Sequence, residues 1–298
     1  MQHSHHAKAK LFESVSAGIH LIPDFRKEVS CKLSSGRQTL LVYLIIGLVI
    51  GFGLGYFVPG LIPEPQSDLV ARIQARGTLI VGTEAGYPPF EMYNTTTQEY
   101  YGFDIDIAQL IADDLGVTLV VEDMAFDTLV AACKAGTVDL IIAAMFLTSD
   151  RAKELAFSVP YYTANEVMVV NASNPLEIDE LADLAGYDVG VQTGTVEHDE
   201  VQDAINGGAA IILHTYASVA QMFIDLNSGV LDAVYVDEPV YDVYAELYTL
   251  RTIYKVEAPP MVAYCRWANP DLLAVIDGAI TDAISDGTMA TLVETWFG

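Results

Sequence analysis

Basic residues are scarce in this chain. Its 298 residues include 14 Lys and Arg against 40 Asp and Glu, which gives a formal net charge of −26. A surface of that charge repels phosphate backbones, so nucleic acids are poor candidate partners. Because several of the basic residues lie before residue 38, the rest of the chain is more acidic still. We therefore expect a solvated acidic surface on the remainder.

Cysteine is also rare. Cys31, Cys133 and Cys265 lie far apart with no C-x-x-C pair, so the sequence supports neither a metal site nor thiol-redox chemistry. A disulfide between Cys133 and Cys265 stays open, although Cys133 lies in a helical stretch and is predicted to be a small buried apolar residue. Neither a G-x-x-x-x-G-K-[ST] loop nor a Ser/His/Asp set is present, so we expect no cofactor and no catalytic residues, with ATP hydrolysis left to other subunits.

One long apolar run is present, from Leu40 to Val58, and it contains no charged residue. About 20 such residues suffice for a helix to cross a bilayer, so we predict a transmembrane anchor over 39–58 rather than a buried core helix. The positive-inside rule places the basic tail, 1–38, in the cytoplasm and the rest of the chain outside. A proline-rich linker follows over 59–66. The expected product is a single-pass protein of the cell membrane.

Beyond the linker, short β-rich runs alternate with helical ones, as in TLIVGT followed by FDIDIAQLIADDLG. Strands such as LIIAAM are continuously apolar, which is typical of a parallel sheet covered by helices on both faces. The final stretch, 270–297, has apolar residues every three or four positions and is predicted to be one helix. The fold class is therefore α/β.

Several motifs of this region resemble one known family. The stretch GFDIDIA (102–108) resembles the signature of family 3 extracellular solute-binding proteins, the polar amino-acid binders of ABC importers. VGTEAGYPPFE (81–91), TSDRAKELAFSVPYY (148–162), VGVQTGT (189–195) and LDAVYVDEP (231–239) agree in order and spacing.

The resemblance implies a two-lobed, periplasmic-binding-protein-like domain that closes on its ligand. Lobe 1 would comprise 67–163 plus 262–298, and lobe 2 would comprise 164–261. It also implies that the protein is not an enzyme, and that it captures an amino acid and passes it to an ABC transporter permease with separate ATPase subunits. A cyclohexadienyl dehydratase-like enzyme on the same fold and a ligand-sensing receptor domain are the alternatives.

The resemblance assigns opposite ends of an amino acid to two residues. Arg151 matches the arginine that holds the ligand α-carboxylate, for which a guanidinium is suited, and Asp237 matches the acid that accepts the α-ammonium. Taken alone, Arg151 would more readily form a surface salt bridge and Asp237 would cap a helix. Unpaired charges in a closed cleft are costly, so both roles are needed together.

Further site residues follow from the same motifs. Tyr87 and Phe126 match the aromatic pair around the ligand side chain, and Glu84 matches a position that meets that side chain. Gln192 and Thr195 lie in the loop of lobe 2, with Gly194 between them, where backbone N–H groups at a helix start favour an anion.

The chain departs from the family at Phe146. Relatives usually carry a Ser or Thr there, whereas the stretch around Ala144 reads AAMFLT. Ala144 and Phe146 are both predicted to contact the ligand. Phe146 has no hydroxyl to donate, which favours a larger or more apolar ligand, although its backbone N–H remains available.

The charges of the inferred site give a guide to its ligand. Glu84 and Asp237 against Arg151 leave a formal charge of −1, which a cationic amino acid would neutralise. A neutral amide stays almost as favourable, and an acidic ligand is disfavoured because no second basic residue falls in a site motif.

Overall fold

The computed structural model describes residues 68–298, and the tail, the predicted anchor over 39–58 and the linker lie outside the described residues. Within 68–298, no helix is both long enough and apolar enough to span a membrane.

The described residues alternate between helices and strands, interrupted by 3-10 turns at Phe126–Thr128 and Leu181–Leu184. The helices are α1 (Leu69–Arg76), α2 (Phe103–Leu115), α3 (Leu129–Ala135), α4 (Ser149–Glu154), α5 (Val196–Asn206), α6 (Val219–Ser228), α7 (Glu238–Ala245), α8 (Pro270–Asp286) and α9 (Thr288–Phe297). The strands are β1 (Thr78–Thr83), β2 (Met92–Asn94), β3 (Glu99–Tyr101), β4 (Thr118–Asp123), β5 (Leu140–Ile141), β6 (Ala156–Phe157), β7 (Asn165–Asn171), β8 (Asp188–Gln192), β9 (Ile212–Tyr216), β10 (Ala233–Asp237), β11 (Leu250–Glu257) and β12 (Tyr264–Cys265).

The strands form two five-stranded sheets and one hairpin. The first sheet has the order β4-β1-β5-β12-β6, the second has the order β11-β7-β10-β8-β9, and β2 pairs with β3. Each sheet with its helices is called a lobe here, lobe 1 for the first sheet and lobe 2 for the second. Since β12 returns to the first sheet from beyond β11, the chain crosses between the lobes twice.

The two crossing segments lie side by side. Met261 forms antiparallel bridges with both Phe146 and Tyr162. The ring of Phe297, at the end of α9, stacks on Tyr162 with centroids 4.5 Å apart. The last helix of the chain therefore packs against the segment that connects the two lobes.

Lobe 1 depends on a close approach between the loop before β2 and the start of α2. Gly102 has a φ of 138°, and a Cβ there would lie 2.2 Å from the carbonyl oxygen of Phe90. Only glycine fits such a position. The contact lets α2 begin directly against the loop, so that Phe103 and Ile107 are fully buried in the core of the lobe.

The C-terminal region differs from its prediction. Residues 270–297 form two helices, α8 and α9, because Gly287 adopts a left-handed conformation with a φ of 89°. Glycine is the common residue at such helix ends. The prediction of one helix was wrong because both helices bury an apolar face, so the periodicity runs on across the break.

Both cysteines of this region are buried and free. Burial raises the pKa of the Cys133 thiol to about 11 and that of Cys265 to about 12. Both thiols therefore stay protonated near neutral pH and pack as small apolar side chains.

Candidate ligand-binding site

The predicted site residues come from the ends of buried strands. Glu84 follows β1 and Phe126 follows β4, which run parallel to each other in lobe 1. Gln192 ends β8 and Asp237 ends β10, which run parallel in lobe 2. In open α/β sheets the carboxyl ends of strands form the usual ligand-binding edge. The two edges face each other across the cleft between the lobes.

A small cavity of about 10 Å³ lies between these edges. Of the predicted residues, those that line it are Tyr87, Phe126, Phe146, Arg151, Gln192, Thr195 and Asp237. The other lining residues are Ala143, Val196 and Glu197. Glu84 and Ala144 are not among the lining residues. Gln192 donates a hydrogen bond to Glu84, and the Ala144 backbone N–H donates to Asp104.

Hydrogen bonds across the cleft are made by the site residues themselves. The Tyr87 hydroxyl donates to Asp237 Oδ2 at 2.6 Å, and Gln192 Nε2 donates to Glu84 Oε2 at 3.0 Å. Arg151 Nη2 donates to the carbonyl of Gly194 at 3.0 Å. Since each bond joins lobe 1 to lobe 2, the residues predicted to hold a ligand also hold the lobes in the closed arrangement.

Arg151 lies in the first turn of α4, where the Thr148 hydroxyl accepts its backbone N–H at 3.2 Å. Its Nη1 donates to the carbonyl of Phe146 at 2.8 Å, and its guanidinium carbon lies 5.4 Å from the Phe126 ring centroid. Burial lowers the pKa of Arg151, but a guanidinium still keeps its proton. Instead of a surface salt bridge, the guanidinium has carbonyls and an aromatic ring around it.

Phe146 contributes through its backbone. Its side chain is buried, and its carbonyl accepts hydrogen bonds from Arg151 and from the Tyr264 hydroxyl, the latter at 2.7 Å. Phe146 therefore offers the site no side-chain hydroxyl, but its carbonyl positions the Arg151 guanidinium.

Asp237 belongs to a group of buried carboxylates in lobe 2. It is 2% exposed, and its Oδ1 has no hydrogen-bond partner among residues 68–298. Glu166 pairs with Asp237 across β7 and β10, is 1% exposed, and also has one oxygen without a partner in this part of the chain. Burial, and then the nearby Glu197 carboxylate, raise the pKa of Asp237. This end of the cavity therefore holds several buried carboxyl groups close together, and burial favours their protonated forms.

Glu197 is the charged residue among the three lining residues that the motifs did not identify. It lies in the first turn of α5, is 3% exposed, and has its pKa raised by burial to about 7. An acid in the first turn of a helix is ordinarily a surface partner of the helix dipole. Its place in the sequence therefore gives no sign that it points into a cavity.

Lobe 1 contributes further buried acids beneath the cleft. Asp104 accepts hydrogen bonds from the Ala144 backbone at 2.6 Å and from the Tyr161 hydroxyl at 2.9 Å. Burial raises its pKa to about 7. Glu91 is 1% exposed, and neither of its carboxylate oxygens has a partner within 68–298. Burial, and then the Asp104 charge, raise the pKa of Glu91.

Comparison with known proteins identifies the family. Residues 79–298 match the bacterial extracellular solute-binding proteins, family 3. The chain is 29% identical over 271 residues to the L-cystine-binding protein TcyJ of Escherichia coli K12, covering 88% of this chain and 96% of that protein. The chain therefore belongs to family 3 of the bacterial extracellular solute-binding proteins.

Solved structures agree with this assignment. An ancestral arginine-binding protein bound to arginine matches with a TM-score of 0.71 and 35% identity, over 75% of this chain and 99% of that one. An ancestral amino acid-binding protein, a precursor of cyclohexadienyl dehydratase, matches with a TM-score of 0.72 and 31% identity, over 77% of this chain and 100% of that one. The predicted family and the two-lobed α/β fold are confirmed.

Proposed function

We propose that this protein captures a polar amino acid outside the cytoplasm and delivers it to the permease of an ABC importer. The observation that carries the proposal is that Tyr87, Gln192 and Arg151 each bond across the cleft from the walls of one cavity. A ligand that contacts both walls would stabilise the closed arrangement and shift the population toward it. The binding functions of the similar proteins support the same proposal.

The roles of the lining residues follow from their charges. Arg151 would bind the α-carboxylate with donors now directed at carbonyls, and Asp237 would accept the α-ammonium on its unpartnered oxygen. Tyr87 and Phe126 would enclose the ligand side chain, whose far end would meet Glu84 and Gln192. The excess of carboxylates favours a cationic amino acid over a neutral amide.

The membrane anchor over 39–58 and the lobe boundaries are part of the proposal. The basic residues before an uncharged run support a cytoplasmic 1–38 and an external binding domain. The division of strands between the sheets supports lobe 1 as 67–163 plus 262–298 and lobe 2 as 164–261. Protease added to intact cells should degrade the binding domain and spare 1–38. Protection of the binding domain would contradict the anchor.

The binding function is tested by a thermal-shift screen of the full-length protein against the amino acids, followed by calorimetry. A ligand that binds only the folded state raises the melting temperature. Removing one partner of a buried charge pair costs about 2–5 kcal/mol. Arg151→Ala and Asp237→Ala should therefore weaken binding roughly a hundredfold or more.

Exposed residues provide matched controls. Arg72→Ala and Asp203→Ala remove the same kinds of side chain from the surface, and they should leave the dissociation constant unchanged. Wild-type affinity in both Arg151→Ala and Asp237→Ala would show that the site is placed wrongly.

A dehydratase is a second candidate function. The similarity to the precursor of cyclohexadienyl dehydratase and the buried acid Glu197 in the cavity both favour testing it. Turnover of prephenate or arogenate by the purified protein would establish an enzyme, and its absence alongside tight amino-acid binding would establish a binder.

A further inference from the structure

The cavity holds more carboxyl groups than an amino-acid site requires. Two carboxylates, Glu197 and Asp237, line it against the single cation Arg151. Glu84 adds a third carboxylate at the far end through its bond to Gln192. The formal charge of this set is −2 when all four groups are ionised. An amino acid with one cationic side chain would leave one negative charge uncompensated.

The groups that would receive a ligand carboxylate already have partners. Arg151 donates to the carbonyls of Phe146 and Gly194 and lies over the Phe126 ring. The first turn of α5, where backbone N–H groups favour an anion, holds Glu197. A second carboxylate brought to this end of the cavity would be repelled by Glu197.

The groups that would receive a cation have spare capacity. Asp237 Oδ1 is buried and has no partner among the described residues, and the cross-strand neighbour Glu166 also has one such oxygen. Burying a carboxylate oxygen without a donor is costly. An ammonium carries three donors and would satisfy this end of the cavity.

We propose that this cavity also binds amines that carry a cationic group at each end and no carboxylate, such as agmatine, which is L-arginine without its α-carboxylate. One cationic group would lie against Asp237 and Glu197, and the other against Glu84. The connecting alkyl chain would pass Tyr87 and Phe126. A dication brings the formal charge of the set to zero. This inference rests on the binding site proposed above and adds a ligand class to it.

The test compares each amino acid with its decarboxylated form by calorimetry on the full-length protein. The pairs are L-arginine with agmatine and L-lysine with cadaverine, and L-glutamine is the neutral reference. We expect the dissociation constant of agmatine to lie within tenfold of that of L-arginine. Agmatine binding more than a hundredfold weaker than L-arginine would overturn the inference and leave the amino-acid function standing.

The remaining outcomes separate the two proposals. Binding of agmatine or cadaverine with no amino acid binding would support the inference and refute the proposed function. Binding of none of these ligands and of no amino acid in the screen would refute both.

A variant at Glu197 tests the site itself. Glu197→Gln should weaken agmatine binding at least tenfold, because one of the two carboxylates at that end is lost. L-Arginine binding should change less than threefold, since the lost attraction for its ammonium is offset by the lost repulsion of its carboxylate. Asp203→Asn removes one charge from the exposed side of the same helix and should affect neither ligand. An equal effect of Glu197→Gln on both ligands, or no effect on agmatine, would contradict the inference.

Discussion

The contacts of Tyr235 lead to a prediction about Glu166. The Tyr235 hydroxyl lies 3.0 Å from Glu166 Oε2 and 2.8 Å from Glu200 Oε2. Burial holds the pKa of Tyr235 far above its ordinary value, so the hydroxyl keeps its one hydrogen. One hydrogen serves one acceptor, and the second contact is a hydrogen bond only if a carboxyl supplies the proton. Glu166 is the better holder of that proton, because burial raises its pKa to about 8.

The effect on stability has a definite sign. A carboxyl whose pKa rises from 4.5 in the unfolded chain to about 8 in the folded protein binds more protons when folded. The folded state therefore loses stability as the pH rises through that window. A tenfold change in proton affinity is worth about 1.4 kcal/mol, so the stability lost on ionising Glu166 is at most about 5 kcal/mol. Because the charges of Glu197 and Glu200 act on the same proton, we expect the free energy of unfolding to be lower by about 2–3 kcal/mol at pH 9 than at pH 5.

Glu166→Gln tests this reasoning, since the amide imitates the neutral acid and can still donate to Tyr235. The variant should match the wild type within about 1 kcal/mol at pH 5. At pH 9 it should melt roughly 5–10 °C higher, at 2–4 °C for each kcal/mol. Glu257→Gln, which removes an exposed carboxylate from the same sheet, should show no such pH dependence. A Glu166→Gln variant that is destabilised equally at both pH values would refute a protonated Glu166.

Two further predictions concern the cleft. Glu84→Gln should weaken the binding of a cationic ligand at least tenfold and change the affinity for an amide ligand far less, as measured by calorimetry with L-arginine and L-glutamine. Equal losses of affinity for the two ligands would show that Glu84 does not contact the ligand side chain. Small-angle scattering should show a smaller radius of gyration when the tightest ligand of the screen is added, because the ligand would join the lobes. An unchanged radius of gyration with a tightly bound ligand would contradict closure of the lobes on the ligand.

The positions of several predicted site residues follow from their places relative to strand ends, whereas the roles predicted for them follow from the family resemblance. Glu84 directly follows β1, and Asp237 is the last residue of β10. Both strands are largely buried and parallel to a neighbour, and in the sequence each is a largely apolar run that ends at an acid. Arg151 follows Thr148 with the spacing of a capped helix, which fixes where its side chain starts. Local sequence therefore positions these residues within each lobe.

The remaining features depend on contacts between segments far apart in the chain. Ala144 was predicted to contact the ligand, but its backbone N–H is directed to Asp104, and Ala143 lines the cavity in its place. That exchange depends on a φ of 46° at Ala144, which no residue type in the stretch signals. The register of β7 against β10, which sets Glu166 beside Asp237, is likewise a product of pairing between distant strands.

The site inferred from the sequence has one carboxyl group fewer than the structure places there, because Glu197 was not identified. The sequence analysis assigned roles to Glu84 and Asp237 only, and in isolation an acid at a helix start, such as Glu197, is favourable. Burial reverses that judgement for Glu197, because its charge then acts on Asp237 through a medium that screens it weakly. Closing the cleft on these carboxylates is therefore unfavourable when they are all ionised, and either protons or a cationic ligand must offset the repulsion. Closure of this protein is expected to depend on the positive charge that the ligand carries as much as on its shape.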